Sequence, residues 1–409
     1  AGAAAAEALR EHGVRGRILV LTKENRLPYD RTVLSKTLLA ADDDKGWIPL
    51  REESFYNRHG IDILPGREAV GVSPGERQVM LDNGDTIEYD ALLIATGANP
   101  KKLTVPGADC NNVFTLRTPE DSLRIVNAAQ TGRNAVVVGA SFIGMECASS
   151  LQKRGITVTV VAPESVPFER SLGKNLGGVF RKLHEAHGIR FRLNTSVEAI
   201  PGTETATAVR LNTGEELAAD FVVTGIGVTP ATGFCADLPQ TDDGGLPVDT
   251  TLRVQGTESI YAAGDIAAVP NPVKGGNVRI EHWRVAQQQG RTAAANMAGF
   301  ETAWDRVPYF WSGQHGMKLR YVGMAAEWDR EIIHGNLDEG RFLIFYAADN
   351  RICAAAGSGF DRDMAAIEAL MQQGRMLSAD EVYSGPVDWC AKVRMESTRS
   401  PTPNCPRRQ

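Results

Sequence analysis

The chain has 409 residues, of which 43% are hydrophobic and 23% are charged, and its formal net charge is −6. This length allows two or three domains that each bury a core. The negative charge argues against general nucleic-acid binding, which needs a basic surface. No apolar run in the sequence approaches the roughly 20 residues of a membrane-spanning helix, so we expect no membrane span.

The cysteines are too far apart in sequence to form a CxxC metal knuckle or a CxxC redox pair. We therefore predict no metal site and free thiols, which are typical of a reducing compartment. The predicted location is the cytoplasm, or the mitochondrion if the source is eukaryotic. The six residues are Cys110, Cys147, Cys235, Cys353, Cys390 and Cys405.

The first residues predict a helix of the kind that follows a nucleotide-binding turn. Residues 2–10 are rich in alanine, and an apolar strand follows at residues 17–21. In a dinucleotide-binding unit a strand and a glycine-rich turn precede such a helix, and of that turn only Gly2 is present. We therefore expect a truncated chain, or a fragment of a longer one.

Two stretches of the chain repeat one order of predicted elements, which indicates a duplicated βαβ unit with an inserted hairpin. After the first helix and strand come a hairpin at residues 78–89, turning at Asn83-Gly84, and a strand at 90–95. The second stretch has strands at 135–138, 157–161 and 221–224, a helix at 143–154 and a hairpin at 208–217.

A glycine motif, Gly139-x-Ser141-x-x-Gly144, separates a strand from a helix in the second stretch. The first glycine permits a tight turn and the last permits close packing of helix and strand. Ser141 stands where the middle glycine is usual, and it is small enough to donate to a phosphate. The amino terminus of the helix is an anion site. The motif predicts a bound dinucleotide, and a strand-to-helix turn without a ligand is the alternative.

An acidic residue follows the second strand of each stretch, where it can bind a ribose hydroxyl. Glu164 favours NADH over NADPH, and an exposed loop glutamate is the alternative. Glu24 would hold the adenosine ribose of FAD, with a solvated turn charge as the alternative.

A second nucleotide signature ends a late apolar strand at Gly264-Asp265. An aspartate at a strand tip can bind the hydroxyl groups of the flavin ribityl chain, and a simple helix N-cap is the alternative. Together with the glycine motif it indicates FAD and NAD(P)H in one chain.

These elements predict an α/β fold with two Rossmann-like, three-layer ββα nucleotide-binding domains and a C-terminal α+β domain. The FAD domain would comprise residues 1–112 and 233–301 without its first strand, and the NAD domain residues 113–232. Residues 302–390 would alternate strands with one helix at 363–373, and residues 391–409 would be a disordered tail.

The sequence resembles the pyridine nucleotide–disulfide oxidoreductase superfamily over nearly its whole length, to about residue 390. Residues 27–36 (LPYDRTVLSK) and 310–312 (FWS) are similar to its ferredoxin-reductase branch. Residues 281–283 (EHW) and 319–323 (LRYVG) are similar to reductases like apoptosis-inducing factor 3, some of which carry a Rieske domain ahead of the flavoprotein part.

The resemblance implies a catalytic pair: Lys36 beside the flavin N5 edge, and Glu146, which would hold that lysine. A cation there stabilises negative charge on the reduced ring. Asp265 would bind the ribityl chain. Trp283 and Trp311 would cover the flavin ring, and burial in an interdomain core is the alternative for each. The other cofactor-binding residues implied are Gly2, Arg31, Thr96, Gly97, Gly227, Gly264, Glu281, Trp283 and Trp311.

The disulfide-reducing members use a cysteine pair, or a single loop cysteine where this chain has Leu34 and Ser35. The resemblance therefore implies an FAD-dependent NAD(P)H reductase that passes single electrons to a ferredoxin-type or Rieske iron–sulfur centre, either in a separate protein or in a fused domain. A homodimer is one assembly to test. The rival hypotheses are an NADH-responsive redox sensor or cell-death factor with slow turnover, and a cofactor-free binding protein.

Overall fold

The computed structural model describes residues 1–40, 49–271 and 275–394. The chain divides into two compact units, Ala1–Asp305 and Arg306–Gln409. Within the described ranges, no helix is both long enough and apolar enough to cross a membrane.

Ten α-helices lie in the described residues, and a short 3₁₀ helix, Arg31–Val33, precedes the second of them. The helices are α1 Gly2–Glu11, α2 Thr37–Ala40, α3 Glu53–Arg58, α4 Pro119–Thr131, α5 Phe142–Lys153, α6 Glu169–Ala186, α7 Trp283–Met297, α8 Asp361–Gln372, α9 Ala379–Tyr383 and α10 Trp389–Arg394.

The strands of the first unit are short and numerous. They are β1 Ile18–Thr22, β2 Ile61–Pro65, β3 Ala69–Ser73, β4 Gln78–Leu81, β5 Thr86–Glu88, β6 Leu92–Ile94, β7 Ala98–Pro100, β8 Val113–Thr115, β9 Asn134–Val138, β10 Thr157–Val161, β11 Arg190–Arg192, β12 Val197–Ala199, β13 Ala208–Leu211, β14 Glu216–Ala218, β15 Phe221–Thr224, β16 Val228–Pro230, β17 Leu246–Pro247, β18 Ile260–Ala262, β19 Ala267–Pro270 and β20 Asn277–Arg279.

A five-stranded parallel sheet lies at the centre of the second predicted stretch, in the order β11–β10–β9–β15–β8. Two of its inner strands, β9 and β15, are mostly valine and are buried except for Asn134, as in a sheet covered on both faces. The sequence periodicity correctly predicts the strands flanking α5 and the helix itself, which begins one residue earlier than expected.

Each predicted hairpin is present, and each gains a third strand that the sequence analysis misses. The antiparallel orders are β3–β4–β5 and β12–β13–β14. Gly84 and Gly214 sit in the two hairpin turns with φ of 87° and 86°, a backbone region that favours glycine. The additional strands β3 and β12 are irregular in register, which weakens their alternating pattern in the sequence.

Segments distant in sequence meet in the first unit. Strand β18 pairs in parallel with β6, Ile260 opposite Leu92, so the ends of the two strands lie at one edge. Helix α7 packs against α1, and a Cβ added at Gly290 would lie 2.4 Å from the Ala1 carbonyl oxygen. Residues after 233 therefore return to the amino-terminal part of the chain.

The described residues of the second unit form an antiparallel sheet and three helices, so the fold class predicted from the sequence is confirmed. Its strands, in spatial order β21–β22–β25–β24–β23, are β21 Tyr309–Gln314, β22 Met317–Gly323, β23 Arg330–Asn336, β24 Arg341–Ala348 and β25 Arg351–Ser358.

The carboxyl-terminal region differs from the sequence expectation. One helix is expected in this unit, and α9 and α10 are two more. The expectation of disorder from residue 391 does not hold for residues 391–394, which belong to α10. Fully buried Trp389 anchors this helix, with its ring centroid 5.2 Å from that of Phe345. Residues 395–409, which include Cys405, lie outside the described residues.

Candidate cofactor-binding site

The turn from β9 to α5 can be built only with glycine at two positions. Gly139 has φ of 104°, and a Cβ added there would lie 2.4 Å from the carbonyl oxygen of Gly225. A Cβ added at Gly144 would lie 2.1 Å from the carbonyl oxygen of Gly139. Gly139 permits the tight turn, and Gly144 permits the helix to pack closely on the strand. The arrangement aims the amino terminus of α5 at the sheet edge, where an anion is favoured.

Ser141 has a different partner from the one expected. Its hydroxyl donates to the carbonyl oxygen of Gly225 at 2.6 Å and makes no capping bond to α5. The hydroxyl proton is therefore committed to the protein. Any phosphate at this turn would meet the backbone N–H groups of the first turn of α5 instead.

Two further residues predicted for NAD(P)H lie at the same end of the sheet. Glu164 follows β10 and forms an ion pair with Arg170, with 3.3 Å between Oε1 and Nε. The Arg170 side chain is 85% exposed, so solvent screens this pair. Gly227 follows β15 with φ of 98°, and its carbonyl oxygen accepts the backbone N–H of Lys101 at 2.9 Å.

Glu24, the acidic residue after β1, lies in a denser network. Its carboxylate pairs with the Arg31 guanidinium and accepts the Tyr29 hydroxyl at 2.8 Å. Arg31 also donates to the Tyr29 hydroxyl oxygen and to the Arg117 carbonyl oxygen, each at 2.8 Å. The structure thus brings together Glu24 and Arg31, both predicted to bind the cofactor.

Arg117 is a site residue that the sequence analysis misses. Its Nη1 lies 3.8 Å from Oδ2 of Asp265, and a Cβ added at Gly97 would lie 2.7 Å from its Nη2. Burial lowers the pKa of Arg117, and Arg31 lowers it further, while Asp265 acts in the opposite direction. A lone arginine after a short strand carries no distinguishing signal in sequence. Its place at this corner depends on contacts with residues far away in the chain.

The corner around Gly264 fits a bound polyol or phosphate chain. Gly264 has φ of 85°, and its N–H donates to Oε1 of Gln289 at 2.8 Å. Gln289 is fully buried, and its Nε2 finds no hydrogen-bond partner among the described residues. A buried amide donor left unsatisfied is costly, so a ligand acceptor at this corner would satisfy it. Asp265 and Arg117 add a carboxylate and a cation.

The two residues predicted to be catalytic are in contact. Lys36 Nζ donates to Oε2 of Glu146 at 2.8 Å and to the carbonyl oxygen of Thr32 at 3.2 Å. The Glu146 side chain is only 6% exposed, while that of Lys36 is 28% exposed. Lys36 directly precedes α2 and Glu146 lies on α5, so the pair joins the loop of the first stretch to the nucleotide helix of the second.

Three other residues predicted to bind the cofactor, Thr96, Gly97 and Gly2, lie just after β6 or at the start of α1. Thr96 donates its hydroxyl to the Ala231 carbonyl oxygen at 3.0 Å, and the Gly97 carbonyl oxygen accepts the Ala231 N–H at 2.9 Å. Gly2 begins α1, and a Cβ there would lie 3.7 Å from that of Ala95, an ordinary contact. The protein's own packing therefore leaves room for a side chain at Gly2.

The segment before α7 is rich in perturbed titratable groups. Glu281 accepts Arg279 Nη1 at 2.8 Å, and although its side chain is 41% exposed, partial desolvation raises its pKa despite this partner. Burial also lowers the pKa of His282 to about 4, against the opposing influence of Asp265. Trp283 begins α7 with 37% of its surface exposed. Trp311, on β21 of the second unit, is 44% exposed.

The glycine turn and the Gly264 corner, each at the ends of parallel strands, define a protein built to hold two nucleotides in one chain. The family model for pyridine nucleotide-disulphide oxidoreductases matches residues 1–290, and a reductase C-terminal model matches residues 309–388. The chain belongs to the pyridine nucleotide-disulphide oxidoreductase family. This membership implies FAD and NAD(H) as its cofactors.

Among curated proteins, the chain is 37% identical to apoptosis-inducing factor 3 of Mus musculus over 386 residues, 93% of this chain and 63% of that protein. It therefore spans less than two thirds of the length of this relative. It is 36% identical to rhodocoxin reductase of Rhodococcus erythropolis, over 93% of this chain and 89% of that protein.

A solved structure is similar over nearly the full length of both chains. It is a ferredoxin reductase from Rhodopseudomonas palustris, with a TM-score of 0.91 and 29% sequence identity. The match covers 96% of this chain and 97% of that one.

Proposed function

We propose that this chain is an FAD-dependent oxidoreductase that oxidises NADH and reduces a ferredoxin-type or Rieske iron–sulfur acceptor. The observation that carries the proposal is the Lys36–Glu146 pair, which couples the loop of the first stretch to the glycine-turn helix of the second. The names of the similar reductases from Rhodococcus erythropolis and Rhodopseudomonas palustris support the reaction class.

Two sets of residues would hold the nucleotides. Asp265, Arg117 and Gly97 form the corner that suits FAD, and the buried Gln289, which accepts the Gly264 N–H, has an amide donor left unsatisfied. The amino terminus of α5 suits the pyrophosphate of NADH. In domain terms, we assign FAD to residues 1–112 with 233–301, and NADH to residues 113–232.

When bound, FAD supplies the ability to take a hydride from NADH and to release electrons singly. The chain's own contribution is placement and electrostatics. The Lys36 ammonium would offset negative charge that develops beside it, and Glu146 holds that ammonium in place. Neither residue needs to gain or lose a proton during hydride transfer, which depends on alignment.

Thiol–disulfide exchange does not suit this site. Cys147 directly follows Glu146, but it is fully buried, and burial raises the pKa of its thiol, with the Glu146 charge raising it further. A thiol of this kind stays protonated and is a poor nucleophile.

The proposed reaction is tested with NADH, the FAD-loaded chain and a [2Fe-2S] ferredoxin under anaerobic conditions, following the visible absorbance of the ferredoxin. We expect catalytic reduction that depends on both NADH and the chain. Flavin that NADH reduces but that fails to pass electrons to the ferredoxin would contradict the proposed acceptor. Such slow turnover would favour the rival hypothesis, an NADH-responsive redox sensor or cell-death factor; of these, the name of the Mus musculus relative, apoptosis-inducing factor 3, suggests only the cell-death role.

We also propose a homodimer and a reducing compartment, the cytoplasm. The proposed compartment is inferred from the five cysteines of the described residues, which are all free: Cys110, Cys147, Cys235, Cys353 and Cys390.

The proposed acceptor centre is either a separate protein or a Rieske domain fused to the same polypeptide. Sedimentation measurements test the dimer, and thiol labelling in cell extracts tests the redox state.

A further inference from the structure

Helix α5 holds the segment around Lys36 through side chains on one of its faces. Glu146 and Ser150 lie four residues apart on one face of α5, and Arg154, which caps the end of the helix, follows four residues later. Ser150 donates to the Ser35 carbonyl oxygen at 2.7 Å, and Arg154 Nε donates to the carbonyl oxygen of Leu39 at 2.5 Å. The face that begins near the glycine turn is therefore fixed to the residues flanking Lys36.

One oxygen of Glu146 accepts two donors from this segment. Ser35 Oγ donates to Oε2 at 2.6 Å, and Lys36 Nζ donates to the same atom at 2.8 Å. Ser35 is only 2% exposed, so its hydroxyl is shielded from water. Burying a carboxylate is costly unless donors satisfy its oxygens, and hydrogen bonds to charged groups are the stronger kind.

We propose that Ser35 is a positioning residue for the Lys36–Glu146 pair. This inference rests on the proposed function, because it assigns Ser35 a part in hydride transfer from NADH. Lys36 has a flexible four-carbon stem and is partly exposed, so it holds the carboxylate loosely by itself. The short, buried serine bond fixes the rotation of the carboxylate, and the carboxylate in turn fixes the ammonium.

A matched control lies in the same segment. Ser122 is fully buried and donates to the carbonyl oxygen of Leu34 at 3.0 Å. Ser35→Ala and Ser122→Ala each remove one buried hydroxyl that holds the same segment, but only the first removes a donor to Glu146. Comparing the two separates positioning of the pair from general support of the loop.

The test is stopped-flow reduction of the FAD-loaded chain by NADH. For Ser35→Ala we expect the limiting rate to fall about tenfold, as for loss of one charge-assisted hydrogen bond, with NADH affinity changed less than about twofold. Ser122→Ala keeps the wild-type rate. Ser35→Ala added to Glu146→Gln causes no further slowing, because the serine acts through the carboxylate.

A second readout is independent of turnover. In urea unfolding of the FAD-loaded chain, Ser35→Ala lowers the midpoint more in the wild-type background than in Glu146→Gln, whereas Ser122→Ala lowers it equally in both. If Ser35→Ala does not retain FAD, Ser35→Cys takes its place, since a thiol is a weak donor of similar size, and slowing is again expected.

The inference is overturned if Ser35→Ala reduces at the wild-type rate, if Ser122→Ala slows reduction equally, or if Ser35→Ala and Glu146→Gln act additively. A wild-type chain whose bound FAD is not reduced by NADH instead overturns the proposed function. In that case the unfolding measurements still report whether Ser35 and Glu146 interact.

Discussion

Glu24 and Glu164 follow equivalent strands, β1 and β10, but their carboxylates have different kinds of partner. Glu24 is held by the Arg31 guanidinium and the Tyr29 hydroxyl, and the Arg31 guanidinium is itself bonded to the Arg117 backbone. Glu164 pairs with Arg170, whose side chain is 85% exposed. The Glu24 carboxylate is fixed by a hydrogen-bonded network with Arg31 and Tyr29, whereas solvent can replace Arg170 as the partner of Glu164.

The difference matches two kinds of ligand. A nucleotide that stays bound gains from residues fixed in advance, because less ordering is needed when it binds. A nucleotide that enters and leaves in each cycle is better served by a carboxylate that can exchange partners. We therefore assign the Glu24 side to the resident FAD and the Glu164 side to NADH.

The largest expected effect is loss of flavin from Asp265→Ala. This change removes the carboxylate that faces Arg117 at the corner assigned to FAD. We expect FAD affinity to fall by more than about 100-fold, because the carboxylate of a partly buried charge pair is removed. The measurement is the flavin-to-protein absorbance ratio after gel filtration. Exposed Asp242→Ala is the control and retains flavin.

Lys36→Ala separates flavin binding from flavin reduction. The variant keeps its FAD, because the corner at Asp265 is intact, but it lacks the ammonium held by Glu146. We expect the limiting rate of reduction by NADH to fall about 10²-fold, the effect of removing one preorganised charge-stabilising donor. Stopped-flow absorbance measures it, with Lys174→Ala on α6 as the control. A normal rate in Lys36→Ala means that this loop does not face the flavin.

Because of His282, the free energy of unfolding should depend on pH. Burial lowers its folded-state pKa to about 4 from 6.5. Between those values the unfolded chain binds a proton that the folded chain does not, so acid favours unfolding. From pH 7 to pH 5 the wild-type chain should lose about 2 kcal/mol more unfolding free energy than His282→Gln. Urea unfolding at both pH values measures this, and equal losses would show that His282 is not buried in neutral form.

The smallest effect is expected at Glu164. Glu164→Ala removes the proposed acceptor for the NADH ribose and leaves Arg170 to attract a 2′-phosphate. We expect the ratio of kcat/KM for NADH to that for NADPH to fall about tenfold. Steady-state kinetics with both nucleotides measures this ratio. Glu24→Ala, the matched variant on the other side, should weaken FAD retention and leave the ratio unchanged. The reverse pattern would invert the assignment.

Local sequence signals account for most of the fold. Alternating and continuous apolar runs correctly indicate β9, β10 and β15, and the turn glycines Gly84 and Gly214 mark the hairpins. These features depend on neighbours within a few residues, so they can be read along the chain. Short elements such as α9 and α10 are missed, because the packing of residues such as Trp389 holds them more than local preference does.

The site is less accessible to sequence reasoning. Lys36 and Glu146 are 110 positions apart in sequence. Their pairing was predicted from the resemblance to a family, because spacing along the chain does not indicate it. Ser35, Arg117 and Gln289 are missed, because each acquires its role from a partner brought near by folding. The serine of the glycine motif shows the same limit: Ser141 is suited to a phosphate by type, but its hydroxyl donates to the Gly225 carbonyl oxygen instead.

The most direct test of the central claim is the visible spectrum of the purified, FAD-loaded chain before and after anaerobic addition of NADH. The account predicts a yellow protein whose flavin band bleaches rapidly with one equivalent of NADH. A chain that stays colourless after incubation with FAD, or whose bound flavin is unchanged by NADH, would contradict the assignment of two nucleotides to one electron-transfer site.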